Sequence, residues 1–141
     1  MHIDVVDSEC FRPMLEAEIQ RYAQQRVDLL IVDDIADWAA SRTENAKGNP
    51  PAMAVTESIT GRWGIVLRRA IDAAWIESIV ARIEVGANPD AREVLCTPET
   101  FLRHLVLHEL AHLENGWGQE KENDCDAWAF EKMQSIPAFE R

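Results

Sequence analysis

Apolar positions recur along the chain with a helical period in four places and with a strand-like period in one. In "RPMLEAEIQRYAQQRVDLLIVDDIADWAASR", Leu15, Ile19, Tyr22 and Ala23 share one stripe, and Ile31, Ile35 and Trp38 share another. The spacing predicts helix across most of residues 13–41, divided into two helices. Asp28 and Asp33 are both plausible starts for the second, and the β-branched "LLIV" reads equally as a short strand. "TENAKGNPP" breaks the pattern with Gly48, Pro50 and Pro51 and marks a loop. "AMAVTESITGRWGIVLRR" then gives two β-rich runs separated by "ITG", a hairpin, of which the second run is the stronger strand. "AIDAAWIESIVARIEV" returns to helical spacing through Ile71, Ala74, Trp75, Ser78, Ile79 and Ile83, and "GANPD" ends it.

"CTPETFLRHLVLHELAHLEN" is the best-defined element. Thr97 can cap it, Pro98 suits its first turn, Glu99 favours the dipole there, and Gly116 should stop it. Leu102, Val106, Leu110 and Leu113 form one apolar stripe, with Phe101 and Leu105 on the side that carries the histidines. Such a helix is expected to be buried nearly all round. "QEKENDCDAWAFEKMQ" reads as a last helix, ended by "SIP" at 135–137. The order of elements is that of a small α+β domain.

At 141 residues the chain is long enough for one hydrophobic core and short for two, so a single domain over 1–141 is expected. The net charge of −11, with no basic run, argues against a direct nucleic-acid partner. "MHIDVVDSEC" lacks the basic and apolar segments of a signal peptide, and no apolar run approaches membrane-spanning length, so the expected protein is soluble and cytoplasmic. Three widely spaced cysteines, Cys10, Cys96 and Cys125, without a CxxC pair, point to reduced thiols.

The chemistry lies in "HELAH". Side chains four apart on a helix are offset by about 40° and by about 6 Å along the axis, so His108 and His112 can converge on one ion. That is the spacing zinc requires. Glu109 sits about 60° past His112, near enough to reach a water on the metal without ligating it. Two unpaired imidazoles beside a carboxylate would cost several kcal/mol in a core, so a metal is expected to satisfy them. Zinc brings the pKa of its water to about 7, and Glu109 can accept that proton as general base.

A catalytic zinc commonly takes three protein ligands, and no histidine follows His112, so a carboxylate must complete the set. Glu114, Glu120, Glu122, Asp124 and Asp126 are available; Glu114, two residues past His112, points off the ligand face. "NGWG" supplies a reversal, after which Glu122 and Asp126, at i and i+4, can share the work. One can ligate while the other accepts the remaining ring N–H of a histidine. Trp117 in that turn serves as a lid or as the anchor that docks it. His104, one turn before His108, could line the cleft, supply an oxyanion contact, replace a ligand, or hydrogen-bond in the core.

"HELAH" followed by Glu122 and Asp126 resembles the gluzincin metallopeptidases, and "HELAHL" with "ENDCDAWAF" is similar to the ImmA/IrrE-type family over about residues 97–133. The resemblance implies a minimal zincin-like fold, with a short sheet and hairpin packed on the active-site helix and a C-terminal ligand helix. It implies one zinc per chain held by His108, His112 and Glu122, with Glu109 as general base and Asp126 as the partner of His108. Cys125 would fill a small-residue slot as packing. It also implies a peptide or protein substrate, such as a transcriptional repressor, laid along a sheet edge, for which "GRWGIVLR" is the candidate strand. The one tyrosine, Tyr22, is remote from the motif and offers no obvious oxyanion group. A zinc module without hydrolysis and a zinc hydrolase of another amide are the rival readings.

Overall fold

The structure, a computed structural model, describes residues 4–41 and 50–134. Along the chain these form β1 (Val5–Asp7), α1 (Arg12–Tyr22), β2 (Val27–Val32), α2 (Ile35–Ser41), β3 (Ala52–Thr56), β4 (Trp63–Arg68) and β5 (Ala70–Asp72). There follow α3 (Ala73–Gly86), the one-turn α4 (Ala91–Val94), α5 (Pro98–Asn115) and α6 (Glu122–Gln134). The architecture is α+β. Gly48 and the proposed stop at 135–137 lie outside the described residues.

Two of the expected helical spans begin with strand. "VDLLIV" is β2 and not part of a helix: its β-branched and leucine side chains pair in parallel with β4, Val27 opposite Trp63 through Val32 opposite Arg68. Tertiary pairing thus overrides the helical period read across it. The second helix starts later than either Asp28 or Asp33 suggested, because Asp34 accepts the Asp37 N–H at 2.9 Å and caps α2. Likewise Ala70–Asp72 is β5, paired antiparallel with β1, and Asp72 then caps α3 by accepting the Trp75 N–H at 2.9 Å.

The hairpin forms as expected, with Ala52 opposite Leu67 and Thr56 opposite Trp63. Its place in the sheet corrects one expectation. The strand order is β2-β4-β3, so "GRWGIVLR" lies in the middle, bonded on both sides, and cannot accept another strand. Ile65, Val66 and Leu67 are all fully buried, as a strand covered on both faces must be. Among the described residues, β3 is the edge strand that lies against α5.

Helix α5 runs beneath this sheet. Thr97 accepts the Thr100 N–H at 3.1 Å and Thr100 Oγ1 accepts the Thr97 N–H at 3.3 Å, a reciprocal cap that fixes the first turn. At the other end Gly116, at φ 64°, takes the left-handed conformation that terminates the helix, and its N–H reaches the His112 carbonyl. Phe101, Leu102, Leu105, Val106, Leu107 and Leu110 are buried between, packed with Leu15 and Ile19 of α1 and with Ile65 and Leu67 of β4. Arg103, which would otherwise be a stranded charge, pairs with Glu18 of α1 at 3.0 Å. Among the described residues no helix is long and apolar enough to cross a membrane.

Since Leu102 is fully buried and Ile59 at the hairpin tip is 91% exposed, Leu102→Ala should lower unfolding free energy by about 2–5 kcal/mol and Ile59→Ala by less than about 0.5. Urea denaturation of the two variants measures the contrast.

Candidate metal centre

The caps of α5 set the position of His104, His108 and His112, which succeed one another at one-turn intervals on a single side. Helix α6 lies across that side, brought back by the Gly116–Gly118 turn. Asp126, fully buried, accepts from three groups: His104 Nε2 at 3.0 Å, His108 Nδ1 at 2.6 Å and Arg82 Nη1 of α3 at 2.9 Å. Burial opposes its charge, yet the two histidines together hold the carboxyl well below the usual range. It is an ionised acceptor.

One turn earlier on α6, Glu122 sits between the other two ring nitrogens. Its Oε2 lies 2.7 Å from His108 Nε2 and its Oε1 3.3 Å from His112 Nε2. His112 Nδ1 is 2.7 Å from the Trp117 carbonyl, and the Trp117 N–H returns to the His112 carbonyl at 3.2 Å. Trp117 therefore anchors the turn and orients His112 through its backbone.

These partners settle the tautomers. A carbonyl and an ionised carboxylate can only accept, so both Nδ1 atoms carry hydrogen. Both Nε2 atoms then turn toward a third acceptor, Glu122, an arrangement that is favourable only with a cation between them. In the metal-free chain that cation is a proton on each ring. Burial works against charge on His108, but Asp126, Glu122 and Glu109 outweigh it and push it up to about 10. The Cys125 sulfur first, then Glu122, hold His112 protonated up to about 11 against its burial. Burial would raise Glu122, but the two histidines bring it down to about 2. The two imidazoles, with both orienting hydrogen bonds in place and Glu122 beside them, could hold a metal ion.

Glu109 is half-buried on the wall of the same cleft. Burial pushes its carboxyl up; His108 and His112 pull it back, and so does the backbone N–H of Ala54 on β3. The cleft, of about 730 Å³, is walled by the α5–α6 pair, by β3 through Ala52, Met53 and Ala54, by Ile79 and Arg82 of α3, and by the Trp117 turn.

The structure thus brings together His108, Glu109, His112, Glu122 and Asp126. His104 is 2% exposed, stacks on Phe130 with ring centroids 4.5 Å apart, and gives its Nε2 to Asp126; its Nδ1 is buried without a partner. That is a core role. Glu114 turns away and accepts the Gln24 N–H at 2.6 Å, while Glu120 and Asp124 are exposed. Tyr22 donates to the Lys132 carbonyl at 2.9 Å, a tie between α1 and α6. Two contributors escaped the sequence reading. Arg82 lies on a helix with no motif, and only a charged residue between Ile79 and Ile83 hints at a buried counterpart. Cys125, read as packing, brings its sulfur to within 4.8 Å of a ring nitrogen of both His108 and His112.

Compared with known proteins, the chain matches no family model, no curated protein and no solved structure.

The raised imidazoles make the metal-free protein pH-sensitive in one direction. Their stabilisation is complete below the unfolded value of 6.5 and is lost as pH rises through about 10 for His108 and about 11 for His112. With a chelator present, thermal melts should fall steadily from pH 7 to 9.5. A melting temperature that holds or rises over that window would contradict the protonated pair.

Proposed function

We propose that this protein is a minimal zinc-dependent metallopeptidase of zincin-like fold, akin to the ImmA/IrrE-type family, cleaving a peptide or protein substrate with narrow specificity. One observation carries the reading. Both histidines of "HELAH" have their Nδ1 atoms engaged and their Nε2 atoms converging on Glu122, with Glu109 beside them in an open cleft.

His108, His112 and Glu122 would hold one zinc ion, which when bound supplies Lewis acidity that polarises a carbonyl and acidifies water. Asp126 keeps His108 in the ligating tautomer and, through Arg82, ties that histidine to α3. A Glu109 carboxylate oxygen takes the proton of the attacking water and returns it to the leaving amine. Its raised affinity for a proton, caused by burial, suits both transfers.

Peptide as the substrate class is supported by β3. Among the described residues it is an edge strand and borders the cleft at Ala52, Met53 and Ala54, where strand backbone can bond an extended chain without reading its sequence. A transcriptional repressor is the favoured protein substrate by resemblance. A zinc module without hydrolysis has one observation in its favour, the Cys125 sulfur beside both histidines.

Metal analysis of the purified protein by mass spectrometry tests the site: about one zinc per chain in the wild type and in Glu114→Ala, with loss or marked weakening in Glu122→Ala. Wild-type protein that takes up no zinc on reconstitution would remove the proposal. For the chemistry, Glu109→Gln should retain zinc and lose turnover of any cleaved peptide by at least about 100-fold; undiminished cleavage would exclude Glu109 as the base.

A further inference from the structure

The proposed zinc site has three ligands from the expected set, and a tetrahedral ion has four positions. Cys125 is one turn along α6 from Glu122 and faces the same histidines, since residues three apart share a helix side. Its side chain is 0% exposed, so it makes no use of solvent. Its sulfur and a ring nitrogen of each of His108 and His112 all lie within 4.8 Å of one another. With zinc–sulfur at 2.3 Å and zinc–nitrogen at about 2.0–2.1 Å, two tetrahedral ligands sit about 3.6 Å apart. The observed limit of 4.8 Å exceeds that separation by at most about 1.2 Å. Neither Cys10, which is exposed, nor Cys96 joins a metal-competent group among the described residues.

We propose that Cys125 is a fourth protein ligand of the metal in the resting protein, giving a closed site of His108, His112, Glu122 and Cys125. On binding, the thiol proton passes to solvent and the sulfur lone pair takes the position that a hydrolytic site leaves to water. The resting site is therefore latent, and hydrolysis requires the sulfur to withdraw. A thiolate also biases the site toward soft ions over magnesium or calcium. This inference rests on the metal site proposed above and adds its regulation.

Cobalt(II) separates the two. The metal-free full-length chain, kept reduced, is titrated with Co²⁺ while its absorption spectrum is followed. The expected result is one cobalt per chain with a near-ultraviolet sulfur-to-cobalt charge-transfer band. That band is lost in Cys125→Ala and Cys125→Ser, which still bind one cobalt, and kept in Cys10→Ser and Cys96→Ser. One cobalt bound to the wild type without the band overturns the fourth ligand and leaves the three-ligand site standing; this holds even if a Cys125 variant fails to fold. A band that persists in Cys125→Ala also overturns it. No cobalt uptake by the wild type overturns both.

Discussion

A carboxylate with no exposure to water is costly to bury, and Asp126 is tolerated only because three donors converge on it. Those donors come from two other helices, His104 and His108 of α5 and Arg82 of α3. One side chain therefore fixes how α6 sits on α5, how α3 closes on both, and which nitrogen of His108 faces the cleft. Removing it would leave an arginine and two imidazoles without their shared acceptor. The geometry of Glu122, one turn away on the same helix, is inherited from this contact.

The cleft follows from the same frame. α5 contributes the imidazoles and Glu109, α6 the carboxylate, α3 a basic wall, and the hairpin a strand edge. Of the sheet's described strands, β3 alone lines the cleft, through Ala52, Met53 and Ala54. The Ala54 backbone N–H then meets Glu109, so the strand that could receive a peptide also acts on the group that would move protons.

What could be read from the sequence was whatever depended on short range. The cap at Thr97, the stop at Gly116, the i, i+4 pairing of His108 with His112 and of Glu122 with Asp126 are each set within a turn or two. What could not be read depended on long-range pairing. "LLIV" carries a helical period and a strand composition at once, and only the parallel pairing with β4 decides between them. The same pairing moved "GRWGIVLR" from the edge to the middle of the sheet. Arg82 is 44 positions from Asp126, and no local pattern links them. The nearness of the Cys125 sulfur to both rings depends on how α6 is rotated against α5, which spacing alone leaves free.

The histidine and carboxylate groups of the centre are compressed into a very short stretch of chain. His104 and Asp126 are separated by 22 positions, and the Gly116–Gly118 turn joins the two helices that carry them. Closing so short a segment forfeits little chain entropy, and helix pairs of low sequence separation form early in folding. The α5–α6 hairpin can accordingly bring these side chains together before the slower parallel pairing of β2 with β4 is complete. An ion captured at that stage would act as a folding nucleus, and the order of events during synthesis would then depend on how much metal the surroundings supply.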